Sequence, residues 1–248
     1  MKKFSIFIFC FAFVWGVNPL FAAVMNSTNY SIQSDSINFG GGLSTSTNYK
    51  DESTFGEIAV GKSASSNYNL KAGYQQMLQV YLALGTVADV TLSPSIDGTV
   101  GGVANGQTVV TVTTDDPAGY ELYIKASSTP ALVSGVNFFT DYVPVGANPD
   151  LTFITPVAAS RFGFSPEGSA IVSRWKDDGS SCNTGALDTA DSCWDQIGTV
   201  NKLVASEATS NYPSGTQTTL KFRASSGGSN LQAVGTYTAT TTVTAIAL

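Results

Sequence analysis

From about Leu78 onward, apolar residues recur at every second position in short runs. No stretch keeps the i, i+3, i+4 spacing of a helix over helical length. Val80, Leu82 and Leu84 alternate, and Val110 and Val112 alternate with Thr111 and Thr113. Tyr120, Leu122, Ile124 and Ala126 face one way, while Glu121, Tyr123 and Lys125 face the other. Successive side chains of a strand point to opposite faces, so each run has one apolar face that must be covered. Leu151/Phe153, Phe162/Phe164 and Leu220/Phe222/Ala224 give further short strands, and the Thr-rich stretch Tyr237 to Val243 another. Asp115-Asp116-Pro117-Ala118-Gly119 has turn chemistry, and the alternating runs on either side of it predict a hairpin. A helical turn or two is expected only near Thr189 to Ile197. Many short strands with Gly and Pro punctuation imply an all-β sandwich or barrel over 79–248.

Before this region a short phrase occurs three times, as Ser27-Thr28-Asn29-Tyr30, Ser46-Thr47-Asn48-Tyr49 and Ser65-Ser66-Asn67-Tyr68, with the tyrosines 19 residues apart. A constant period of this size marks a repeated supersecondary unit. Tyr30/Ile32, Tyr68/Leu70, Ile37/Phe39 and Ile58/Val60 each place two apolar groups on one strand face. Gly40-Gly41-Gly42 and Gly61 suggest tight reversals. Residues 24–78 therefore read as a segment of β-hairpins, with the second copy weakened by Asp51 where the others carry Ile32 and Leu70. Two or three hairpins hide little surface alone, so this segment is expected to pack on the next domain or on another molecule.

Residues 1–23 read as a signal peptide. Lys2 and Lys3 precede the apolar run Phe4 to Val17, Asn18-Pro19 breaks it, and Ala22-Ala23 offers a cleavage site. The run is short for a membrane span of about 20 residues, and no other run is long enough. An exported protein, secreted or at the cell surface, follows as the expected localisation. The chain has 12 basic and 18 acidic residues and a net charge of −6, without a basic patch, which argues against nucleic acid and anionic membranes as partners. Charged residues make up 12% of the chain, about half the usual share, and Ser, Thr, Asn and Gly take their place, as on many extracellular β-proteins. Beyond the signal segment two cysteines remain, Cys182 and Cys193, and in an exported chain such a pair predicts a disulfide.

The chain contains no histidine, which removes Ser-His-Asp and Cys-His nucleophile systems and His-ligated metals. Carboxylate chemistry stays open. Asp177, Asp178, Asp188, Asp191 and Asp195 cluster around the disulfide loop beside Trp175 and Trp194. Three uses suit such a cluster. It can be a solvated, braced loop. It can hold calcium, with Asp188, Asp191 and Asp195 as ligands, since carboxylates and loop carbonyls suit a hard cation. It can carry the paired carboxyls of a glycosidase, the weakest of the three because the acids are mixed with Gly, Ser and Thr; the calcium reading is itself weakened by a spacing that does not match Asp-x-Asp-x-Asp-Gly. No resident cofactor is implied; calcium is the one ion this loop would suit. Trp175 and Trp194 are candidate ligand-binding rings for sugar or peptide, or else pack under the loop as a small core.

The Ser-x-Asn-Tyr-x-Leu/Ile repeats, ending in Asn67-Tyr68-Asn69-Leu70-Lys71-Ala72-Gly73-Tyr74, resemble a repeat of uncharacterised exported bacterial surface proteins. Thr108 to Thr114 followed by Pro117-Ala118-Gly119-Tyr120 is similar to hairpins of Ig-like bacterial surface domains. Gly235-Thr236-Tyr237-Thr238-Ala239-Thr240 resembles the last strand of WxL-type domains, although the Trp-x-Leu motif itself is absent: Trp175 and Trp194 precede Lys-Asp and Asp-Gln. The resemblance implies an Ig-like antiparallel β-sandwich at the cell surface and no catalytic residues. The expected function is a secreted or cell-surface structural or adhesive protein whose partner is an envelope or extracellular component, a glycan or a second copy of itself. The alternatives are a carbohydrate-binding or surface-ligand module, calcium-assisted or not, and a filament subunit joined by strand pairing.

Overall fold

In the computed structural model, residues 25–26, 31–32, 40–45, 50–56, 60–64, 69–74 and 79–248 are described. The signal segment, the tetrad tyrosines Tyr30, Tyr49 and Tyr68, and the pairs Ile37/Phe39 and Ile58 of Ile58/Val60 lie outside them. The chain divides into two units, one of residues 1–64 and 69–79, the other of 65–68 and 80–248.

Among the described residues the first unit has three strand pairs, all antiparallel: β1 (Met25–Asn26) with β2 (Ser31–Ile32), β3 (Gly40–Thr45) with β4 (Lys50–Phe55), and β5 (Gly61–Ala64) with β6 (Asn69–Ala72). Their innermost pairs are Asn26↔Ser31, Thr45↔Lys50 and Ala64↔Asn69, so one register recurs with an offset of 19 residues. In sequence the tetrads fall between the paired strands and outside the described residues. Two expectations are corrected here. Gly40, Gly41, Gly42 and Gly61 lie within strands instead of making the reversals. Asp51 lies within β4 opposite Ser44 and does not interrupt the ladder, because backbone pairing in a two-stranded ribbon tolerates a charge on either face.

The second unit is built from β7 (Leu82–Leu84), β8 (Gly102–Thr114), β9 (Tyr120–Ala126), β10 (Leu132–Ser134), β11 (Asn137–Asp141), β12 (Ser160–Glu167), β13 (Lys202–Glu207), β14 (Thr216–Ser226) and β15 (Thr241–Ala247). One sheet has the order β10-β11-β12-β14-β8-β7 and the other β13-β9-β15. The protein is all-β. Among the described residues of this unit the helical element is a single 3-10 turn at Ser173–Trp175. The expected helix at Thr189 to Ile197 is absent; Trp194 and Asp195 instead form isolated bridges to Asp150 and Phe164. Leu151 and Phe153 likewise form no strand.

Alternation decides which faces meet. Val110 and Val112 of β8, Phe162 and Phe164 of β12, and Leu220, Phe222 and Ala224 of β14 are buried, and so are Tyr120, Leu122 and Ile124 of β9 and Val204 and Ala205 of β13. Residues of both sheets join one buried cluster. Burial of each large apolar side chain there contributes about 1.5–3 kcal/mol.

The expected hairpin across Asp115–Gly119 is not formed. β8 pairs with β14 and β7, while β9 pairs with β13 and β15. The turn instead carries the chain from one sheet to the other, so the apolar faces of both runs enter the same core. Asp116 accepts the Gly119 N–H on its carbonyl (3.0 Å) and the Ala118 N–H on its carboxylate (2.9 Å). Gly119 has φ +89°, and a Cβ there would stand 1.9 Å from the Glu207 carbonyl oxygen, so glycine alone suits this corner.

One pair departs from the antiparallel expectation. β11 and β12 run parallel, with Thr140↔Arg161 and Asp141↔Phe162. A tight hairpin joins only antiparallel strands. The long connection between Asp141 and Ser160 lets the chain re-enter from the same end.

Candidate functional site

The acidic, cysteine-bearing segment 177–197 folds as a layer along the edge of β12, bridged to it at Phe164 and Asp195. The Cys182–Cys193 disulfide closes it, with a sequence separation of 11, and a disulfide belongs to an oxidising compartment. Asp177 organises the interior of the layer. It is fully buried, and its carboxylate accepts hydrogen bonds from the Gly179 N–H (2.8 Å), the Thr189 N–H (3.1 Å) and the Thr189 hydroxyl (2.9 Å). Its backbone exchanges two 3.0 Å hydrogen bonds with Leu187. Asp178 turns outward. The Ser180 hydroxyl and the N–H groups of Ser180 and Ser181 donate to it and push its pKa down to about 2. It serves as an Asx-type turn residue.

Backbone pairing welds the layer to the sheet. Phe164 and Asp195 exchange hydrogen bonds of 2.9 and 3.1 Å, and Trp194 and Asp150 exchange bonds of 3.0 and 2.8 Å. Asp195 thereby continues the β12 edge beyond the short β11 contact. The Ser165 hydroxyl donates to the Ser192 carbonyl. Gly163 permits the close approach: a Cβ there would meet Tyr142 at 2.8 Å and the Asp195 carbonyl at 3.0 Å. Asp191 and Cys193 have left-handed backbones, with φ of 57° and 60°. That conformation costs a non-glycine residue about 1–2 kcal/mol, and the surrounding bonds hold it.

The three proposed calcium ligands go to separate places. Asp195 is buried and ion-paired with Arg174 (2.7 Å) and Lys202 (2.8 Å). Burial draws Lys202 below the usual lysine range, and its Asp195 partner opposes that shift. Asp191 pairs with Lys221 at 3.1 Å, and Asp188 accepts the Gly168 N–H at 2.8 Å. Among the described residues no group of three or more His, Cys, Asp or Glu side chains is gathered as a metal ion would need.

The two tryptophans are likewise separated. Trp175 (2% exposed) joins the main core, edge-on to Phe164 at 5.1 Å, with its indole N–H donating to the Leu203 carbonyl at 2.9 Å. Trp194 (1% exposed) packs on the outer side of the sheet, edge-on to Phe153 at 5.2 Å, and donates to the Asp191 carbonyl at 2.8 Å. Both indole N–H groups are satisfied by carbonyls within the protein. The rings share no surface and offer no open stacking face.

Beside Trp194 the structure assembles residues that the sequence pattern did not single out. On β14, Lys221 and Arg223 alternate with buried Leu220, Phe222 and Ala224 and so face away from the core. The register with β8 sets Gln107 opposite Lys221 and Asn105 opposite Arg223. The Arg223 guanidinium lies 4.5 Å from the Trp194 ring centre, and its Nε–H donates to the Asn105 side-chain oxygen at 2.6 Å. Lys221 is paired with Glu167 at 2.8 Å as well as with Asp191. These residues line a groove of about 370 Å³ in which Asp191 is the one carboxylate; a two-carboxyl hydrolase needs a pair facing each other across a cleft. The i, i+2 spacing of Lys221 and Arg223 was a readable signal, but their amide neighbours come from a strand more than a hundred residues earlier.

Comparison with known family models, with curated proteins and with solved structures gave no match. No helix among the described residues is long and apolar enough to cross a membrane.

Proposed function

We propose that this chain is an exported, non-catalytic structural or adhesive module of the cell surface, with an Ig-like β-sandwich as its second unit. One observation carries the reading: segment 177–197, which holds the disulfide, Trp194 and the five aspartates clustered around that disulfide, is consumed in bracing a sheet. Its carboxylates cap turns or neutralise cations, and its one ring, Trp194, is buried. That is the economy of a scaffold made for an oxidising, unprotected environment, where a covalent clasp and internal ion pairs resist unfolding. The two-sheet core with a turn crossing between sheets supports the sandwich. The likeness of the Asn-Tyr repeats to those of exported surface proteins supports the compartment.

Cell fractionation tests the reading. In cells producing the chain from residue 1, the protein is expected in the envelope or medium, lacking its first residues, with Cys182 and Cys193 joined in non-reducing peptide maps. A cytoplasmic pool retaining residues 1–23 and both free thiols would overturn it.

A further inference from the structure

The outer face of the six-stranded sheet carries the groove of about 370 Å³ beside Trp194, a size at the lower end of small-molecule sites, which run to roughly 300–1,000 Å³. We propose that this groove binds the carboxylate of an acidic saccharide, gripped by Arg223.

Arg223 is held from several sides before any ligand arrives. Its strand is central, hydrogen-bonded to β12 on one edge and β8 on the other. Its guanidinium lies 4.5 Å from the Trp194 ring centre and 5.7 Å from that of Phe153. Its Nε–H is spent on Asn105. No hydrogen bond or ion pair among the described residues engages its two terminal amino groups. Together they form the planar donor fork that matches a carboxylate with two parallel hydrogen bonds. Because the stacked side chain is already ordered, binding costs little further side-chain entropy. Lys221, by contrast, is neutralised by Glu167 and Asp191. The groove therefore offers one cation with no ion pair among the described residues, Asp191 acting on it only at longer range, which suits a single carboxylate better than a polyphosphate backbone needing several.

The surroundings favour a sugar over a peptide. Both edges of β14 are paired, so no backbone edge is open for an added strand. Trp194 and Phe222 are buried, which leaves no apolar pocket for a peptide side chain. Beside Arg223 the groove is lined by the side-chain amides of exposed Asn105 and Gln107, and by the Asp191 carboxylate, which is ion-paired with Lys221. Amides donate and accept at adjacent atoms, as vicinal sugar hydroxyls require.

The test is calorimetric titration of the full chain with trigalacturonate, its neutral methyl ester, and dextran sulfate. Saturable binding of trigalacturonate is expected, with the methyl ester at least about tenfold weaker. Arg223→Lys keeps the charge but loses the fork and is expected to weaken binding about tenfold. Gln107→Ala alters an exposed side chain away from the core. It is expected to weaken binding about threefold with an unchanged melting temperature, which separates a site effect from a folding effect. No binding of trigalacturonate by the unaltered chain, equal affinity for the methyl ester, or unchanged affinity in both variants would overturn the proposal. So would equally tight binding of dextran sulfate that Arg223→Lys weakens in the same way, since that is generic attraction of polyanions.

Discussion

Trp194→Ala is expected to lower the unfolding free energy by about 3–5 kcal/mol, the range for removing a fully buried tryptophan. The ring is 1% exposed and lies among Phe153, Arg223 and the backbone of the disulfide layer. Its removal takes away apolar contact on one side and the stacked cation's support on the other. It also leaves the Asp191 carbonyl without its 2.8 Å donor, an added cost of about 1–3 kcal/mol where that carbonyl stays out of water. Urea unfolding followed by far-ultraviolet circular dichroism measures the loss. A cost under about 1 kcal/mol would mean that the ring is an accessible surface group, as a stacking platform for sugar would require.

The second large effect is that of the covalent clasp. Cys182→Ser with Cys193→Ser, or reduction of the disulfide, is expected to cost about 3 kcal/mol through the added freedom of the unfolded loop. The folded layer should feel it too. Cys182 and Cys193 are both buried within the core cluster, and Cys193 occupies a left-handed backbone conformation that the bond helps hold. Guanidinium unfolding with and without reductant reads the effect. A midpoint that does not move would show that hydrogen bonding of Asp177 and the ion pairs of Asp195 hold the layer unaided.

Much of the fold was legible because it depends on a period-2 pattern. Tyr120, Leu122, Ile124 and Ala126 are buried in alternation, as are Leu220, Phe222 and Ala224. The pattern does not say which strands pair. Asp115–Gly119 has the chemistry of a hairpin turn, yet it bridges two sheets, because the same residues suit any sharp reversal and the destination is set by where the apolar faces find cover. The parallel β11–β12 contact was hidden for a similar reason: nothing local to Thr140 or Arg161 distinguishes a parallel neighbour. The disulfide was legible from the cysteine count together with the expectation of export. The roles of the acidic loop were only partly so. Asp188, Asp191 and Asp195 look alike in sequence, but their partners Gly168, Lys221, Arg174 and Lys202 arrive from other segments. Arg223 was passed over because, in an alternating strand, an outward-facing cation looks the same whether or not a ring and an amide wait across the register.

The most direct measurement of whether 177–197 is a structural layer of the sheet is amide hydrogen exchange at Trp194 and Asp195. Their N–H groups donate to the Asp150 and Phe164 carbonyls at 2.8 and 3.1 Å. Exchange only through global unfolding, at the rate of the amides of Leu220 and Phe222 on the central strand β14, is the expected result. Exchange as fast as that of Ser180 and Ser181, whose N–H groups bond only to the exposed Asp178 carboxylate, would contradict it and make the segment a solvated loop.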